Sequence, residues 1–108
     1  MVSYYNSVTK ERGWVYNIGE FLSVNIGDNY YEYDCNLHIK VKDDSVEYDL
    51  YIMNFDYEKR EYIKTKFNYP TPEFKSTNEI FNFFNHLINS RDCKFFQKIK
   101  QHICSLYD

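Results

Sequence analysis

Tyr30 to Lys42 alternates without a break. Tyr31, Tyr33, Cys35, Leu37, Ile39 and Val41 would share one face of an extended chain, and Glu32, Asp34, Asn36, His38, Lys40 and Lys42 the other. A period of two held over this length is wrong for a helix and predicts an antiparallel strand, buried on one face and wet on the other. Val46 to Phe55 carries the same pattern. Closing Asp43-Asp44 as a two-residue loop sets Val41 opposite Val46, Ile39 opposite Tyr48, Leu37 opposite Leu50 and Cys35 opposite Ile52. On the other face it sets Lys40 opposite Glu47 and His38 opposite Asp49. A slip of one residue would invert every side chain, so the agreement of both faces on one register specifies the hairpin.

The rest of the chain is organised around that pair. Upstream, Leu22, Val24 and Ile26 alternate with Phe21, Ser23 and Asn25, and Asp28-Asn29 reads as a tight turn that would put Ile26 opposite Tyr31, Val24 opposite Tyr33 and Leu22 opposite Cys35. Trp14 to Ile18 is expected as a short edge strand. Downstream, Asp56 to Arg60 is a polar turn, and a strand over about Glu61 to Tyr69 stops at Pro70 and Pro72. The period then changes. Ser76 and Glu79 have capping-box spacing, and Ile80, Phe83, Phe84 and Leu87 recur as a helical stripe. Asp92 can cap a second helix whose stripe reads Phe96, Ile99, Ile103 and Leu106. The expected fold is α+β: an antiparallel four- to five-stranded meander sheet over about residues 14–69, with helices at about 77–89 and 93–106 packed on one face. That face should carry Tyr33, Cys35, Leu37, Ile39, Leu50 and Ile52.

At 108 residues the chain has the size of one domain, spanning residues 1–108, with enough length for a single core. Three cysteines, Cys35, Cys93 and Cys104, are an odd number at unpatterned spacing and suit reduced thiols in a cytosol. No apolar run is long enough to span a bilayer and no basic, apolar leader is present, so a cytoplasmic location without membrane attachment is expected. The absence of Ala, the scarcity of Gly and Pro, and the abundance of Tyr, Phe, Asn, Lys and Ile are the codon signature of an AT-rich genome.

Charge is segregated along the chain. Trp14 to Glu58 holds ten acids against two bases, while Lys59 to Asp108 holds nine bases against five acids; with one net positive charge in the first thirteen residues, the total is −3. Such asymmetry produces a local field that favours a partner with a basic surface. The open sheet face is the candidate site: Glu32, Asp34, Glu47 and Asp49 beside Tyr30, Tyr51 and Phe55. Aromatics next to charge suit binding, since they bury much area at little entropic cost. The competing reading is an ordinary solvated face in a chain that is 20% aromatic.

Other chemistries find less support. Cys35-x-x-His38 and His102-x-Cys104 contain zinc-ligand types, but residues three apart in a strand point to opposite faces, so neither metal nor other cofactor is expected. His38 opposite Asp49 could orient a general base, yet no nucleophile elbow, P-loop or His-Glu-x-x-His sequence accompanies it, and no enzyme activity is expected. Single-strand nucleic-acid readers ring their aromatics with Lys and Arg, whereas here the aromatic face is acidic, so no direct nucleic-acid contact is expected. The expectation is a small inhibitor that sets an acidic, Tyr-rich sheet on the basic, nucleic-acid-handling site of another protein, such as a nuclease or a CRISPR effector. Size, AT-rich coding, lack of motifs and one acidic side are shared in kind, not in sequence, with phage-encoded anti-CRISPR proteins. Alternatives are an immunity protein for a cognate nuclease toxin, a host structural or regulatory subunit, and a nucleic-acid-binding module using the basic C-terminal helix around Lys94, Lys98 and Lys100. Oligomeric state is left open.

Overall fold

The computed structural model describes residues 2–106. Five strands, β1 (Val2–Asn6), β2 (Glu11–Ile26), β3 (Asn29–Lys42), β4 (Ser45–Asp56) and β5 (Glu61–Phe67), form one antiparallel sheet in sequential order. Helices α1 (Thr77–Asn89) and α2 (Cys93–Leu106) follow. A meander of this kind needs four reversals, and the chain builds them in two ways. Gly27-Asp28 and Asp43-Asp44 are two-residue turns, with positive φ at Gly27 and Asp43. The four-residue turns 7–10 and 57–60 are near copies of each other. Asn6 Oδ1 accepts from the amides of Val8 and Thr9, Asp56 Oδ1 accepts from those of Glu58 and Lys59, and Lys10 and Arg60 close the turns with left-handed φ.

The β3–β4 ladder has the expected register throughout, from Val41 opposite Val46 to Cys35 opposite Ile52. The β2–β3 register does not. Ile26 faces Asn29, Val24 faces Tyr31 and Leu22 faces Tyr33, two residues from the expected pairing. The turn sits on Gly27-Asp28 because Gly accepts positive φ without a Cβ clash. A shift of two keeps each side chain on its face, so the burial pattern survives the error. Trp14 to Ile18 is no edge strand. It lies inside the long β2, and the edge is β1, whose tyrosines lie outside the expected span of the sheet. Gly13 explains how β1 attaches: a Cβ there would run into the ring of Tyr4, its cross-strand neighbour.

One face of the sheet is dry. Tyr33, Cys35, Leu37, Ile39, Leu50, Ile52 and Phe67 are buried beneath Ile80, Phe84, Leu87 and Ile88 of α1 and Phe95, Ile99 and Ile103 of α2. Rings tie the layers together: Phe81 to Tyr16, Phe84 to Tyr48, and Phe95 to Phe67 at 4.9, 5.2 and 5.9 Å between centroids. The α2 stripe is set one residue earlier than expected at its start, with Phe95 buried and Phe96 half-buried, while Leu106 is 40% exposed. The packing of Phe95 between Phe67, Tyr69 and Phe84 selects that phase.

Both helices begin as expected. Ser76 Oγ accepts from the Glu79 amide, and Asp92 Oδ1 from the Phe95 amide. The link between them is a Schellman turn, with Arg91 in the left-handed region and the Asp92 and Arg91 amides donating to Leu87 and Ile88 carbonyls. Among the described residues, no helix is long and apolar enough to cross a membrane.

Leu37 sits at the centre of the ladder with no exposed surface. Leu37→Ala should cost about 2–5 kcal/mol by chemical denaturation, the range for a buried Leu that leaves a cavity, and Leu37→Asp should leave no cooperative unfolding transition. Wild-type-like melting of Leu37→Asp would mean that the helices cover the other face.

Candidate functional site

The open face begins with a defect in β2. Its pairing with β3 slips between Asn17 and Gly19 and again between Gly19 and Leu22. In the bulge, Phe21 takes φ of 51°, a region that costs an L-residue with a Cβ about 1–2 kcal/mol. The Asp34 carboxylate on β3 holds it there, accepting from the Phe21 amide at 2.9 Å. The ring of Phe21 is left 77% exposed. Bulges bend strands and re-aim side chains, and this one turns a ring toward the end of the sheet where the 57–60 turn closes.

A cleft of about 710 Å³ opens there. Phe21, Tyr30, Phe55, Tyr57 and Tyr62 bring rings to it, with Tyr31, Tyr33, Met53 and Asn54, and Glu32, Asp34, Asp56 and Glu58 bring carboxylates. Phe55 lies at the centre of a three-ring cluster, 4.9 Å from Tyr57 and 5.2 Å from Tyr62, both edge to face. Tyr57 and Tyr62 remain largely in water. The four carboxylates are not equivalent. Asp34 and Asp56 are committed to backbone amides, at the bulge and in the 57–60 turn. Glu32 accepts only a long contact of 3.4 Å from the Tyr30 hydroxyl, and Glu58 is exposed on the turn. Lys59 and Arg60 follow in that turn, but among the described residues those that line the cleft include neither Lys nor Arg. Carboxylates and ring faces both attract cations, so the arrangement suits an ammonium or guanidinium group.

The seven residues expected from sequence are not one patch. Tyr30, Glu32, Asp34 and Phe55 line the cleft; Asp49 and Tyr51 lie in the middle of the face; Glu47 is exposed opposite Lys40. The middle is governed by β5. Lys66 Nζ lies 2.9 Å from Asp49 Oδ1, and Lys40 Nζ lies 3.3 Å from Oδ2. Burial pushes the Asp49 carboxyl up, but the hydrogen bonds and charges of Lys66 and Lys40 outweigh it and hold the group below its ordinary range. Lys64 Nζ sits 4.4 Å from the centroid of the Tyr51 ring and 3.3 Å from His38 Nε2. For that contact to be a hydrogen bond the ammonium donates, so the imidazole is neutral. Desolvation and the Lys64 charge lower the His38 pKa, with Asp49 opposing them.

Sequence reading missed Phe21, Tyr57, Tyr62, Asp56 and Glu58. Tyr62 was within reach, because Phe55 pairs with it across a turn of readable length. Phe21 was not, because strict alternation carries no sign of a bulge. The zinc-type pairs lie apart: Cys35 is in the core, its thiol pushed by burial up to about 12, His38 is on the open face, and His102 Nε2 meets Thr65 Oγ1 at 2.9 Å. Among the described residues, no three His, Cys, Asp or Glu side chains gather at metal-binding spacing. Neither a family model, nor a characterised protein, nor a solved structure matches the chain.

The His38 shift sets a pH dependence. As pH falls below 6.5, the ordinary value, the unfolded chain takes up this proton before the folded one, so stability is lost from there down to the folded value. His38→Gln should flatten the fall in Tm between about pH 7 and about pH 5, leaving the part due to His102, whose pKa burial also lowers. Circular dichroism melts across that range read the slope, and an unchanged slope in His38→Gln would count against the Lys64–His38 contact.

Proposed function

We propose that the chain is a non-catalytic binding module that takes a basic segment of a partner protein into the cleft at the end of its sheet. One observation carries the reading: seven aromatic and four acidic residues line one concavity, and its lining among the described residues holds no Lys or Arg. A Lys or Arg side chain entering it exchanges water for ring faces and carboxylates, which is favourable where the cation is desolvated. The segregated charge of the sequence supports the same partner, because the field of the acidic half steers a basic surface toward this end. Basic surfaces with clefts are typical of proteins that handle nucleic acid, and fixed carboxylates seated there exclude phosphate by competition. The biological role proposed is therefore inhibition of such a protein, of the anti-defence kind, with neutralisation of a cognate nuclease toxin as the alternative.

Glu32 and Glu58 are the carboxylates to reverse, since Asp34 and Asp56 also hold the backbone. Titrating the protein by calorimetry with an arginine-rich peptide should show binding that weakens as salt rises. Glu32→Lys with Glu58→Lys should keep the wild-type melting curve and weaken that binding tenfold or more, about 1.4 kcal/mol. Tyr57→Ala with Tyr62→Ala should weaken it without changing the salt slope. The control, Lys98→Glu with Lys100→Glu on α2, should leave it nearly unchanged. Binding that survives the cleft variants and responds to the control would place the functional surface on α2.

A further inference from the structure

The two edges of the sheet are built differently. β5 carries Glu61, Lys64 and Lys66, and a strand added to it would meet charge along its length. That is the usual protection of an edge. β1 has none of it. Val2, Ser3, Tyr4, Tyr5 and Asn6 are uncharged, contain no proline or bulge, and are all exposed, Val2 by 66% and Tyr5 by 61%. The strand is nevertheless firmly placed, with Tyr4 laid on Gly13 and its hydroxyl donating to Glu11 Oε1 at 3.1 Å. A fixed, neutral edge with one row of amides and carbonyls facing outward is a template for one more strand.

We propose that β1 pairs with β1 of a second copy, antiparallel about a twofold axis at Tyr4, to make a continuous ten-stranded sheet. A twofold contact must be complementary to itself, and β1 meets that condition without any charged residue. Pairing at Tyr4 sets Tyr4 beside Tyr4 of the second copy, Ser3 opposite Tyr5 and Val2 opposite Asn6, with no like charges in register. The same operation on β5 about Lys64 would set Lys64 against Lys64. β1 contributes nothing to the lining of the cleft, so the dimer leaves both clefts open. The inference stands whether or not the cleft binds a basic segment.

The register makes the test specific. Light scattering on the eluting chain of residues 1–108 should give 13.2 kDa at low micromolar concentration and twice that mass toward millimolar. Ser3→Glu with Tyr5→Glu opposes Glu to Glu at both ends of the pairing and should hold the chain at the monomer mass. The carboxylate introduced by Tyr5→Glu would still face Arg12 of its own chain, so β1 stays docked. Ser3→Lys with Tyr5→Glu opposes Lys to Glu and should restore the dimer. In the wild type, hydrogen exchange of those β1 amides that point away from β2 should slow with protein concentration, which reads the contact without any substitution. A wild-type chain that stays monomeric over the whole range, or two double variants that behave alike, would overturn the proposal.

Discussion

The β3–β4 ladder is the contact on which everything else depends. Cys35, Leu37 and Ile39 on one strand and Leu50 and Ile52 on the other are almost entirely out of water, and their register decides which face the helices can cover. Burial of a Leu or Ile side chain is worth about 1.5–3 kcal/mol. A slip of one residue in β4 would expose Leu50 and Ile52 and bury Glu47 and Asp49 in their place. Both helices, the 68–76 segment and the rings of Tyr16, Tyr48 and Phe67 assemble on the surface so defined.

With one face given to the core, the other stays open, and the bulge in β2 shapes it. A regular β2 would run flat past β3. The slips at Gly19 and Leu22 bend it, and the Asp34 carboxylate fixes the bend by holding the Phe21 amide. The backbone strain at Phe21 is offset elsewhere in the fold. Asp34 thus shapes the cleft and is less available to a ligand. Asp56 has the same double position in the 57–60 turn. The carboxylates open to a partner are those the backbone does not use.

The charge pattern of the chain changes meaning once folded. Along the sequence, acids fill the first half and bases the second. Because the meander lays β5 beside β4, Lys64 and Lys66 fall across the middle of the open face, and Asp49 ends between two ammonium groups. Surface pairs of this kind contribute little to stability, but they remove Asp49 from any acidic patch. What stays acidic is the end of the sheet, where rings surround the carboxylates.

Local pattern was enough for the architecture. Alternation specified β3 and β4 with their register, turn chemistry located three of the four reversals to within a residue, and capping residues marked both helix starts, because each of these signals lies within a few residues of what it controls. It missed β1, whose five residues hold no buried side chain and so leave no alternation to read, and it placed the β2–β3 turn one residue late, on Asp28-Asn29 instead of Gly27-Asp28, which moves the register by two. The cleft was legible only in part. Tyr30, Glu32, Asp34 and Phe55 follow from strand parity, but Phe21 depends on a bulge and Tyr57, Asp56 and Glu58 on how a turn folds over the sheet end. Parity along a strand says which face a side chain takes. How far apart two residues on that face stand, and whether a lysine from another strand lies between them, is set by bulges, twist and strand order, which only the folded chain contains.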